Sequence, residues 1–103
     1  DLKIMVPVSL FSWADAADEK DMILLSSFII GAARHQIRDG VGDEIESVIS
    51  GIQAMNNTYA KLLETKFISE NIEQLEIHKS IEMKNELKEF VQKMKQDGGL
   101  DRD

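Results

Sequence analysis

Cysteine is absent from the chain, which excludes a disulfide framework, a thiolate metal site and a cysteine nucleophile. It leaves the redox compartment open. Histidine is nearly absent too: His35 and His78 are the two, and neither has a glutamate three residues before it, the spacing a di-iron bundle needs. Positive charge is in deficit, with 12 Lys and Arg against 19 Asp and Glu, a net −7. That balance opposes a nucleic-acid backbone or an anionic membrane surface as partner. The most apolar stretch, residues 22–33, is too short for the roughly 20 residues that span a bilayer. The single proline, Pro7, would restrict any strand in the first ten residues to an edge.

What is present describes a folded helical chain. The 103 residues suit one domain or part of one. An apolar fraction of 43% with 30% charged residues is too apolar for intrinsic disorder. A domain of this size is marginal unless its packing is good or a second subunit adds to the core. Asp1 in place of Met fits a processed form or a piece of a longer protein.

The strongest pattern is a stripe with 4-3 spacing: Val41, Ile45, Val48, Ile52, Met55, Tyr59 and Leu62. Three heptads of such positions mark a helix laid along another helix. Before it, residues 15–38 form a helix capped by Asp15 and apolar on more than one face, through Met22, Leu25, Phe28, Ile29, Ile30 and Ile37. Ser27 and Gly31 on that helix let a neighbouring backbone come close. The glycines of Asp39-Gly40-Val41-Gly42 end it. A second helix spans 43–66, with Gly51 inside it at a cost of roughly 1 kcal/mol.

Ser69 is the expected cap of a third helix, 70–96, in which Ile72, Met83 and Met94 recur every eleven residues. An 11-residue repeat drifts oppositely to a heptad, so helices two and three cannot form one uniform left-handed coil. Their matched lengths favour an antiparallel hairpin over a continuous rod. Residues 1–14 read as an extended arm anchored by Phe11 and Trp13, and 97–103 as a flexible tail. A signal-peptide reading of residues 4–14 is opposed by Pro7 and by the lack of a basic leader.

Chemistry-bearing constellations are few. Glu70, Glu73 and Glu76 form a row at helical spacing, as a solvated face does. Residues 97–103 lack the oxygen-ligand pattern of a calcium loop. The segment Ile29-Ile30-Gly31-Ala32-Ala33-Arg34-His35-Gln36-Ile37-Arg38 resembles the phosphoacceptor box of sensor histidine kinases. The resemblance implies His35 as phosphoacceptor on the first helix of a dimeric hairpin. Gln36 stands where that family has an acidic residue, and Asp39-Gly40 replaces its proline kink.

The sequence therefore predicts an all-α helical bundle with a long antiparallel hairpin, an apolar first helix and an extended N-terminal arm. It predicts a non-enzymatic interaction or assembly module without cofactor or metal, acting as a homodimer or on a helical protein partner. The interaction residues are Met22, Leu25, Ile29, Val41, Ile45, Val48, Ile52, Met55, Tyr59 and Leu62. Alternatives are the His35 phosphotransfer hairpin and a secreted protein with a membrane-active first helix. The compartment stays open, with the cytoplasm favoured.

Overall fold

The computed structural model describes residues 11, 14, 15, 18–40 and 44–96. Among these the chain is all-helical: α1 (Glu19–Asp39), α2 (Glu44–Glu64), α3 (Glu73–Met83) and α4 (Leu87–Gln96), with no strand. The expected arm apart from Phe11 and Ala14, together with Trp13, Val41 and the 97–103 tail, lies outside the described residues.

The first helix begins later than its sequence pattern implied. Asp18, not Asp15, is the N-cap: its backbone is extended and its carboxylate accepts the Lys20 N–H at 3.0 Å. Asp15 braces the turn before it, with its N–H donating to Asp21 Oδ2 at 2.9 Å and its carbonyl accepting the Asp18 N–H. The helix stops at Gly40, whose φ of +92° is open to glycine and strained for other residues. The Gly40 N–H closes the last turn on the Gln36 carbonyl at 2.8 Å.

α1 and α2 run antiparallel at very close range. Gly31 lies against Ala54 and Ser50, while Gln36, five residues on, bonds Ser47. A Cβ on Gly31 would come within 2.6 Å of Ala54 Cβ and 2.7 Å of the Ser50 carbonyl oxygen. One on Gly51 would meet the Phe28 ring at 2.7 Å and the Phe28 carbonyl oxygen at 2.9 Å. Gly51 is therefore a packing requirement rather than a tolerated weakness. Near the end where α1 turns into α2, Gln36 Nε2 donates to Ser47 Oγ at 3.0 Å, and that hydroxyl donates to the Ala32 carbonyl at 3.3 Å. These bonds satisfy two polar side chains that the close approach buries.

The expected single helix over 70–96 is two helices. Asn85 adopts a left-handed φ of 62°, its N–H bonds the Glu82 carbonyl at 2.9 Å, and the Glu86 N–H bonds the Ile81 carbonyl at 3.0 Å. That pair of bonds is a Schellman ending, with asparagine in the place usually held by glycine. The 11-residue pattern does not survive the break: Met83 is 79% exposed, whereas Ile72 and Met94 pack against the core. Both short helices lean on α2. Asn56 Nδ2 donates to Glu82 Oε1 at 2.8 Å, and Lys95 Nζ approaches Glu44 at 4.0 Å.

α3 begins at Glu73 rather than 70, and Ser69 does not cap it. The Ile72 N–H instead donates to Tyr59 Oη of α2 at 3.0 Å, and that hydroxyl donates to Glu76 Oε2 at 2.6 Å. Burial, then the Glu76 carboxylate, push the Tyr59 phenol up to about 12, so it keeps the proton it donates. Tyr59→Phe leaves the Ile72 N–H and the carboxylate without this partner. It should lower stability by about 1–2 kcal/mol in urea unfolding. Hydrogen exchange should quicken first at the start of α3, and uniform quickening along the chain would contradict the capping role.

The core consists of Leu24 and Phe28 from α1, Val48, Ile52, Met55 and Tyr59 from α2, Leu75 from α3, and Val91 from α4, none above 1% exposed. Phe11 meets the Phe28 ring edge-on at 5.2 Å, so it packs on this core as an anchor.

Candidate functional site: the outer face of the first helix

The heptad stripe was expected to require a second chain, and the fold corrects that. Val48, Ile52, Met55 and Tyr59 are buried within this chain, and Ile45 and Leu62 pack partly buried against the same core. Val41 lies outside the described residues. The break at Asn85 lets two short helices cover α2 while α1 covers its other side. These residues hold the fold together, and none of the four buried ones presents a surface.

Among the described residues, four of the seven exposed large apolar side chains lie on α1, the others being Phe67, Ile77 and Met83. The inward residues of α1 are Leu24, Phe28, Gly31, Ala32 and Gln36. On the other side, Met22 is 39% exposed, Ile29 38%, Ile30 55% and Ile37 74%. Exposed Ser26 and half-buried Ala33 complete the row. The positions recur every three or four residues, which on a 3.6-residue helix is one continuous strip. Leu25 is half-buried at the border of that strip and the core. Of the sequence-predicted interaction residues, the structure thus brings Met22, Leu25 and Ile29 to one edge and buries most of the rest. Ile30 closes the Met22–Ile30 surface the sequence suggested, and Ile37 is the surface residue beyond it. Its signal was the 3-4 spacing from Met22, hidden because the whole helix is apolar.

Beside the strip, α1 and α2 border a shallow cleft lined by Gly31, Arg34, His35, Arg38, Ser50, Gln53, Ala54 and Asn57. No carboxylate lines it, which is unusual for so acidic a chain. Arg38 Nε is 2.9 Å from Asp39 Oδ2, and His35 Nδ1 is 3.3 Å from the same oxygen. His35 has a side chain only 12% exposed and sits in the last turns of α1. Its neighbours are the Asp39 carboxylate, the arginines of its own helix and the amides of α2.

Other chemistry is sparse. No group of three or more potential metal ligands occurs among the described residues, and no helix there is long and apolar enough to cross a membrane. No family model matches the chain, and no curated protein or solved structure matches it.

Proposed function

We propose that this protein is a non-enzymatic interaction or assembly module that docks a helix on the outer face of α1. The observation that carries the reading is the run of exposed Met22, Ile29, Ile30 and Ile37 on one side of a single helix. Contiguous apolar surface of this kind, rimmed by polar residues, marks an interaction site in a folded protein. A helix in a groove or along a seam is the complementary partner, read by anchors at three- and four-residue steps. The core beneath the face is already complete, so the face is free to serve association.

Ile30→Glu combined with Ile37→Glu tests this. Both side chains are more than half exposed, so the double variant should lose less than about 1 kcal/mol of stability. In extracts of cells cross-linked before lysis and producing the protein at its natural level, the wild type should elute well above its 11.6 kDa mass. The double variant should elute at the monomer position. Elution of both forms as monomers overturns the reading.

A further inference from the structure

The pattern along α1 also specifies what covers it, an inference that rests on the docking reading above. We propose that the occupant is a second copy of this chain, its α1 laid antiparallel across a two-fold axis between Ile29 and Ile30.

Two independent features of α1 carry this. The first is spacing. The outer row at positions 22, 26, 29, 30, 33 and 37 reads the same in both directions. In an antiparallel pair Met22 falls opposite Ile37, Ser26 opposite Ala33, and Ile29 opposite Ile30. A two-fold contact is isologous, so it requires this self-complementarity. Small residues at Ser26 and Ala33 meet each other, and large ones fill the centre and ends.

The second feature is charge. The N-terminal end of α1 holds Asp15, Asp18, Glu19 and Asp21 against a single Lys20, which is tied to Asp18 at 2.6 Å. The C-terminal end holds Arg34 and Arg38 against Asp39 alone. An antiparallel pair sets the acidic end of each copy beside the basic end of the other, and a parallel pair stacks like on like. At 1.5 Å per residue, Glu19 and the opposite Arg38 lie about 3 Å apart along the axis in this register. The arrangement offsets the repulsion two chains of net −7 otherwise feel. One helix of 21 residues supplies a contact at the small end of stable interfaces, so dissociation should fall in the micromolar range.

Sedimentation equilibrium from about 10 µM to about 1 mM, with disulfide trapping, decides it. The chain has no cysteine, so introduced thiols report alone. Ile30→Cys, beside the axis, should cross-link to itself. Met22→Cys and Ile37→Cys should each cross-link poorly alone and well when mixed. Arg38→Glu should weaken association about tenfold. Adding Glu19→Arg to it should restore association, and Met83→Glu on α3 should leave it unchanged. Efficient self-cross-linking at both Met22→Cys and Ile37→Cys would mean a parallel pair and overturn the proposal. So would a wild type that stays at 11.6 kDa throughout. If that monomer is found while the double glutamate variant still lowers the native mass in cell extracts, the docking face stands and its occupant is another helix.

Discussion

Acidification from pH 7 to about pH 4 should remove about 3 kcal/mol of stability through His78 alone, and His78→Leu should abolish that part of the loss. His78 is 1% exposed, its Nδ1 is buried without a hydrogen-bond partner, and its ring lies 5.8 Å from Phe90 of α4. Burial disfavours the imidazolium and lowers its pKa from 6.5 to about 4. Of the carboxylates on the same helix, Glu76 is bonded to Tyr59 and Glu82 to Asn56, Glu73 stands at the far N-terminal end, and burial alone sets the direction of the shift. The charged α4 residues beside Phe90, Glu89 and Lys93, are of opposite sign.

The sign follows from proton uptake. Between about pH 6.5 and about pH 4 the unfolded chain binds a proton at this histidine and the folded chain does not. Stability is therefore complete above the unfolded value and falls as pH drops toward the folded one. Leucine in its place removes both the titration and an unpartnered polar atom, so the variant should match or exceed wild-type stability at pH 7. Urea unfolding of both proteins at pH 7, 5.5 and 4.5 measures the difference. Parallel losses in the two proteins would show that His78 is not the acid-sensitive group.

Gly31→Ala and Gly51→Ala should each destabilise the protein by about 2 kcal/mol, although alanine is the better helix former by about 1 kcal/mol. At both positions a Cβ would meet backbone as well as side chain: the Ser50 carbonyl at 2.7 Å for Gly31 and the Phe28 carbonyl at 2.9 Å for Gly51. Side chains can rotate away from a methyl group, but these carbonyls move only if α1 and α2 separate. Separation would strip packing from Phe28 and loosen the Gln36–Ser47 bond. A Cβ on Gly31 also lies 3.2 Å from Gly51 Cα, so the two changes share one contact. The double variant should cost clearly less than the two single losses together, because helices already parted admit the second methyl more easily. Thermal unfolding of the three variants checks this, and a Gly51→Ala protein more stable than wild type would refute the close-packed contact.

Much of this architecture was legible in the residues. The heptad stripe correctly marked one continuous α2 with a buried face, the double glycine marked the end of α1, and Gly31 marked a close approach. The features that escaped depended on residues distant in sequence. Asn85 ends α3 in a left-handed turn within a lysine- and glutamate-rich run that reads as unbroken helix. The α3 N-terminus is satisfied by Tyr59, thirteen residues earlier, where local rules pointed to Ser69. His78 lies between Ile77 and Lys79, and nothing nearby in sequence marks it as buried.

The candidate site followed the same division. Periodicity alone established that α1 and α2 each carry an apolar face, since a 3.6-residue repeat aligns side chains whatever surrounds them. Which face becomes core is settled by the other elements that reach it. The turn at Asn85 brought α3 and α4 onto the α2 stripe and left the outer row of α1, from Met22 to Ile37, facing solvent. Sequence by itself determined an all-helical chain with more apolar surface than one buried seam requires. Tertiary structure decided that four residues of the surplus share one side of α1 while Phe67, Ile77 and Met83 are exposed elsewhere, because only the assembled packing shows which sides of a helix have already been covered.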